Sequence, residues 1–242
     1  MIKIASSLYG IFAYLIGLTG LTAFMLFMGS WSFLPLHINS SVVDTSTTQA
    51  VTINLLIIGL FGLHHSIAAR SSFKDRLSKF VPAAIERSTY VMISGIFMFA
   101  ICFYWQPLAG TLWAIENTTI VLILKSLHVL GWVVLVGATF EIDHFHLMGL
   151  KQSLIKDTAE GSKLKESFLY SIVRHPIQTG VLIGVWSTAY MSITQLVLSV
   201  SMTIYIFIGL YYEEKSLVSH FGDSYLDYKK RVPAVIPFWP TK

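Results

Sequence analysis

Three groups of residues carry side chains able to do chemistry, and each borders a long apolar run. Arg174-His175-Pro176 opens one run, Glu213-Glu214 closes another, and the stretch "FEIDHFH" (140–146) closes a third. An arginine at a helix start can hold a carboxylate or phosphate, because its planar fork and the unsatisfied N–H groups of the first turn both favour an anion. The same arginine can equally be an interfacial residue ahead of a helix-starting proline. Adjacent carboxylates facing lipid headgroups are unfavourable unless something cationic meets them. If a helical hairpin brings Glu213 and Glu214 to the level of Arg174, the clusters together suit a zwitterion carrying a carboxylate and an ammonium.

The histidines pose a second question. His144 and His146 do not stand at the i, i+4 spacing of a helical metal pair, and neither HxxxH nor CxxC occurs in the chain. No metal is expected, and either histidine is available as a general base. The alternative is an interfacial histidine held by hydrogen bonds. His64-His65 ends an earlier apolar run and raises the same alternatives. His128 is expected to be packed and hydrogen-bonded, and Lys125 to snorkel towards the exterior surface.

The elements that must position these groups are membrane spans. Of the 242 residues, 54% are hydrophobic and only 12% charged, against about 25% charged in an ordinary soluble domain. Apolar stretches run over roughly 8–28, 50–69, 88–106, 118–140, 177–190 and 193–212. Most approach the ~20 residues needed to cross a hydrocarbon core, and the fifth is short. The first begins just after Lys3 but is too long for a signal sequence and has no small-residue cleavage site, so a retained span is expected. The lone Cys102 rules out an intrachain disulfide, and no C-terminal lipidation motif is present.

Charge sets the topology. Segments 29–49 and 107–117 contain no Lys or Arg. All but Lys125 of the 17 basic residues lie at the N-terminus, in loops 70–87 and 151–174, or in the tail. Six spans with both termini cytoplasmic put all of these on one side, as the positive-inside rule requires. The formal charge of +4 thus reflects topology and anionic membrane lipids, and no nucleic-acid partner is expected. Apart from Lys125 and His128, the ionisable groups of the spans gather at the cytoplasmic boundary and not at the midplane. That favours a site reached from the cytosol and the leaflet over a transport route.

The expected architecture is all-α, a polytopic membrane protein in which 1–242 form a single integral-membrane domain. Residues 1–140 supply four spans, 141–176 a cytoplasmic connection, 177–212 a helical hairpin turning at Tyr190-Met191-Ser192, and 213–242 a cytoplasmic tail completing the site. In the tail, Leu217, Phe221, Tyr225 and Tyr228 recur at helical spacing, which predicts a helix on the membrane surface. Pro233, Pro237 and Pro240 then break it.

These residues fall into a known pattern. "RHP…G" (174–180), "EE" (213–214), "L…FG..Y..Y" (217–228) and "VP..IP" (232–237) resemble the C-terminal signature of the isoprenylcysteine carboxyl methyltransferase and phospholipid methyltransferase superfamily. Those are integral-membrane enzymes that use S-adenosylmethionine. Upstream, "LHHSIAAR" (63–70), "VPAAIERSTYV" (81–91), "WQPL" (105–108) and "ATFEIDHFHLMGLKQ" (138–152) resemble the bacterial methanethiol S-methyltransferases, which make dimethyl sulfide. Gln178 stands where the isoprenylcysteine enzymes carry tyrosine, which points to the thiol branch.

The resemblance implies S-adenosylmethionine as cofactor, bound by Arg174, His175, Pro176, Gly180, Glu213 and Glu214, with Tyr225 and Tyr228 flanking and Gln152 contributing. It implies a small thiol substrate and a place in a bacterial inner membrane. The thiolate is the real nucleophile, so a base is needed, for which His144 or His146 is the candidate, with His65 behind. It leaves the oligomeric state open. Three other readings remain. One is the same chemistry on a prenylated cysteine or a lipid. Another is a membrane reductase, although "YYEEKSLVSHFG" (211–222) is acidic where sterol reductases carry arginines for NADPH. The last is a non-enzymatic NnrU-like protein sharing the architecture.

Overall fold

Apolar runs in lipid fold as helices because each backbone N–H and C=O must find its partner within the segment. The computed structural model describes residues 2–40, 44–68, 73, 76–77, 79–155 and 164–238. Arg70, Lys74, the 156–163 part of the connecting loop and Pro240 lie outside the described residues. In chain order the helices are α1 (Ile2–Met28), α2 (Thr47–Ile67), α3 (Ala83–Tyr104), α4 (Thr118–Ile142), α5 (His144–Leu147), α6 (Leu150–Ile155), α7 (Leu169–Ile172), α8 (Pro176–Trp186), α9 (Ile193–Phe221) and α10 (Asp223–Arg231). Two short strands are β1 (Thr111–Ala114) and β2 (Tyr190–Ser192).

Among the described residues, five helices, α1, α2, α3, α4 and α9, are long and apolar enough to cross a membrane. The fifth apolar stretch behaves differently. Its helix, α8, has 11 residues, a length of about 16 Å at ~1.5 Å per residue, roughly half of a hydrocarbon core. The chain then leaves helical geometry, and Tyr190–Ser192 is not the expected turn but a strand paired with β1.

Packing divides the chain into two compact units. The first holds Met1–Trp113, Asp143–Ala159 and Tyr190–Leu198, and the second Ala114–Ile142, Glu160–Ala189 and Ser199–Lys242. In the first, α1 and α3 touch backbone to backbone. A Cβ on Gly20 would stand 2.5 Å from the Gly95 carbonyl oxygen, the close approach that small residues permit between membrane helices. Ser46 opens α2 with a capping box closed by Gln49. Buried Asn54 ties α2 to the chain after α3, accepting from Gln106 N–H at 2.7 Å and donating to Gln106 O at 2.9 Å.

In the second unit, α4 and α8 meet in the same way through Gly131, Gly180 and Gly184. A Cβ on Gly131 would lie 2.6 Å from the Gly180 carbonyl oxygen. His128 is the packed histidine expected of it: Nδ1 meets Gly184 O at 2.7 Å and Nε2 meets Trp132 Nε1 at 3.0 Å.

The C-terminal segment departs from expectation in its orientation. Helix α9 runs unbroken to Phe221, so Glu213 and Glu214 sit inside it and not beyond its end. Gly222 at φ 56° breaks the helix, a left-handed conformation that glycine adopts without strain. The redirected α10 turns Tyr225 and Tyr228 inward, each 1% exposed, against Leu217, Val218 and Phe221. The tail does form a helix, but its aromatic face packs on protein and not on the membrane surface.

Candidate functional site

Pro176 fixes the first turn of α8, which leaves Arg174 and His175 non-helical with free backbone N–H groups. Those groups pair with the tail: Arg174 N–H donates to Pro233 O at 2.8 Å and His175 N–H to Ala234 O at 3.0 Å. Thr179 adds a second clamp, its hydroxyl donating to Val235 O at 2.8 Å. The Arg174 side chain is thereby aimed at α9.

The guanidinium, only 6% exposed, is nearly saturated. Nε donates to Glu214 Oε1 at 3.0 Å, and Nη2 donates to the same oxygen. Nη1 donates to the carbonyls of Lys229 and Val232. That leaves one Nη2 proton free. Arg174 therefore acts first as a lock between α8, α9 and the end of α10.

The two glutamates have different situations. Glu214 also receives Lys229 Nζ on Oε2 at 2.6 Å and lies 3.3 Å from His175 Nε2. Its charge is met on all sides. The Glu213 side chain is 47% exposed, with His175 Nδ1 at 3.9 Å, beyond hydrogen-bond range. Its one close protein partner among the described residues is Gln178 Nε2 at 3.2 Å. Glu213 is the carboxylate with lone pairs to spare.

The remaining residues named from the motif divide in the same way. The Tyr225 hydroxyl is buried and has no hydrogen-bond partner. Burial and then the Glu214 carboxylate push its phenol up, while Arg174 lies close enough to pull it down without bonding geometry. Tyr228 is occupied, its hydroxyl donating to Tyr170 O at 2.5 Å. Gly180 is committed to the contact with Gly131, and Pro176 to starting α8. Lys229 and Thr179 escaped the sequence reading. Lys229 sits among basic residues at a helix C-terminus, where they are ordinary. Thr179 looked like any small residue in an apolar run.

Gln152, His144, His146 and His65 belong to the first unit. His144 is 7% exposed and its Nε2 meets the Tyr14 hydroxyl at 3.0 Å. Burial holds its pKa below the ordinary 6.5, against the pull of Asp143. Asp143 caps α5 by accepting from His146 N–H at 3.1 Å and pairs with Lys151 at 2.5 Å. That lysine holds the Asp143 carboxyl below its usual range.

His65 is enclosed: the Tyr90 hydroxyl lies 2.9 Å from Nε2, Ser94 Oγ lies 3.3 Å from Nδ1, and Phe61 stacks on the ring. His146 differs from both. Its Nε2 is buried with no partner, and so is Oε1 of Gln152, whose Nε2 donates to His146 O at 3.0 Å. Tyr14 and Tyr90 lie within apolar runs and carry no sequence signal of their role.

The phospholipid methyltransferase family model matches residues 105–224, a span that contains both the Arg174 and the Glu213-Glu214 clusters. Methanethiol S-methyltransferase 1 of Bradyrhizobium diazoefficiens is 39% identical over 240 residues, covering 98% of this chain and 83% of that relative. The methanethiol S-methyltransferase of Crocosphaera subtropica is 36% identical over 234 residues, covering 96% and 91%. Nurim of Danio rerio is more distant, 26% identical over 177 residues and covering 69% and 64%. No solved structure matches at a significant level. With identity of this extent reaching through both units, the chain belongs to the methanethiol S-methyltransferase family of integral-membrane methyltransferases.

Proposed function

We propose that this protein transfers a methyl group from S-adenosylmethionine to methanethiol, giving dimethyl sulfide, at the cytoplasmic face of a bacterial inner membrane. The observation that carries the reading is the half-exposed, undercommitted Glu213 beside the locked Arg174–Glu214 pair. It occurs in a chain 39% identical over 240 residues to a methanethiol S-methyltransferase.

The residues present fit such a donor. It is cationic overall, with a sulfonium, an ammonium and one carboxylate, so its site should offer more free acceptors than free cations. Glu213 supplies lone pairs, the orphaned Tyr225 hydroxyl a polar contact, and the last Arg174 proton a donor for the carboxylate. His175 stands between the two glutamates, while Pro176, Gly180 and Tyr228 hold the frame. Gln152, the other residue expected to serve the donor, belongs to the first unit and keeps a buried, unpartnered Oε1 there. When bound, S-adenosylmethionine supplies an electrophilic methyl on its sulfonium sulfur.

The thiolate is the nucleophile, so a base must take the thiol proton. Among the candidates His146 fits that role, because its Nε2 is buried and unpartnered. The rings of His144 and His65 are held by Tyr14 and Tyr90 and serve as positioning residues. Both termini face the cytoplasm in this reading. Helix α8 crosses about half of the core, and the non-helical residues 187–192, at up to ~3.3 Å each, supply the remaining length.

Calorimetric titration of S-adenosylmethionine into the purified protein in detergent, followed by turnover on methanethiol and on a prenylated cysteine, tests the proposal. Binding with turnover of methanethiol supports it. A protein that does not bind S-adenosylmethionine overturns it, and preference for the prenylated cysteine overturns the substrate.

A further inference from the structure

The end of α4 carries an acid that the site described above leaves unused. Glu141 accepts from Leu169 N–H through Oε1 at 3.2 Å and so caps the first turn of α7. Its other oxygen, Oε2, is buried and accepts from nothing. No ion pair reaches Glu141 among the described residues. An unpaired, buried carboxylate oxygen is costly to maintain, and proteins keep such groups where another group is to meet them.

The residue after Leu169 points to the same place. Tyr170 is 8% exposed, and its carbonyl is fixed by the Tyr228 hydroxyl. Glu141 on Leu169 N–H and Tyr228 on Tyr170 O thus tie the end of α4 to the tail through two adjacent residues. Burial, then the carboxylates of Glu213 and Glu141, push the Tyr170 phenol up. Tyr225, 1% exposed with an orphaned hydroxyl and its ring 5.9 Å from that of Tyr228, adds a second buried and unpartnered polar group. All of these residues belong to the second unit. Glu214 is matched by Arg174 and Lys229, whereas Glu141 keeps a buried oxygen that nothing meets.

We propose that Glu141 is a further binding residue for the methyl donor, its free Oε2 receiving the donor's ammonium group. This rests on the donor reading above. The ammonium is the better partner for a chemical reason. The sulfonium loses its charge as the methyl leaves, so a carboxylate placed on it would stabilise the ground state more than the transition state. The ammonium keeps its charge throughout, and Glu213 is left for ribose hydroxyls. Glu141 thus contributes uniform binding, which lowers KM without altering kcat.

Glu141→Gln keeps an oxygen for the Leu169 N–H and removes the charge. It should weaken S-adenosylmethionine and S-adenosylhomocysteine alike, on the order of tenfold or more, because both carry the ammonium. Methylthioadenosine lacks it and should bind as to wild type. KM for the donor should rise with kcat little changed. Unchanged donor affinity overturns the proposal, as does equal weakening of methylthioadenosine, which would mark structural damage. Weakening of S-adenosylmethionine alone overturns the ammonium assignment. A wild-type protein that binds none of the three sinks the donor reading and this proposal with it.

Discussion

Arg174 and Glu214, 40 residues apart in the chain, meet at a single oxygen: Nε and Nη2 of the arginine both donate to Glu214 Oε1. The same guanidinium holds the carbonyls of Lys229 and Val232. One buried side chain therefore fastens α8 to α9 and closes the tail over both. A fork of fixed geometry is needed, and a lysine ammonium does not reproduce it.

Arg174→Lys should consequently destabilise the protein as well as impair it. Breaking a buried, multiply bonded pair costs about 3 kcal/mol or somewhat more. Thermal unfolding in detergent should show a clear fall in Tm, with donor affinity lost alongside it. A variant that melts like wild type would mean that the guanidinium is not the lock.

The glutamates should separate. Glu213→Gln, at a half-exposed position with Gln178 as its close partner, should weaken donor binding roughly tenfold and leave stability within about 0.5 kcal/mol. Glu214→Gln strips the charge facing Arg174, Lys229 and His175, so stability and binding should fall together. Paired melting curves and titrations distinguish the two patterns, and identical behaviour of the variants would contradict the asymmetry.

Charge is conspicuous in an apolar chain, which is why Arg174, Glu213, Glu214 and the 140–146 stretch could be read from sequence as the places where chemistry gathers. What each charge faces was not legible. Arg174 and Glu214 read as the two ends of a ligand site, yet they largely satisfy each other, because the carbonyls of Lys229 and Val232 carry no sequence signal. The spacing of Tyr225 and Tyr228 revealed a helix but not its direction, which Gly222 sets through its backbone at φ 56°. Hydropathy also continues past Trp186, where the helix stops, since apolar residues suit a strand as well as a helix. Glu141 stood inside a recognised stretch, and only its unpaired oxygen singles it out.

Acid should cost stability through His144. Its folded-state pKa lies below the ordinary 6.5 because it is buried, so on acidification the unfolded chain takes up the proton first. The contribution is complete above pH 6.5 and is lost as pH falls from there towards the folded value. Asp143, held below its usual 3.8 by Lys151, adds a loss only further down. Melting temperatures between about pH 7.5 and pH 5 should fall less steeply for His144→Phe than for wild type. Equal slopes would rule His144 out as the source.

Gly180 should prove to be a packing residue. A Cβ there would stand 2.5 Å from Gly131 O and 2.7 Å from Leu135 N, both backbone atoms that cannot rotate away. Gly180→Ala should force α4 and α8 apart and cost about 1–3 kcal/mol, read as a lowered Tm. Wild-type stability in this variant would show that the helices have room to spare and would leave the motif glycine without a packing role.

The histidines can be ranked by what already holds their rings. Tyr90 and Ser94 occupy His65, and Tyr14 occupies His144, while Nε2 of His146 is buried and unpartnered. A base must have a free nitrogen for the substrate proton, and general-base catalysis is worth typically ~10²- to 10⁴-fold. His146→Gln should therefore lose turnover on that scale while donor affinity and Tm stay near wild type. His65→Gln should instead lower Tm, because it breaks the contact between α2 and Tyr90 of α3. Full turnover by His146→Gln would remove it as the base. Restoration of activity at higher pH, where more of the thiol ionises unaided, would support it, since the only thing the missing base supplied was the thiolate.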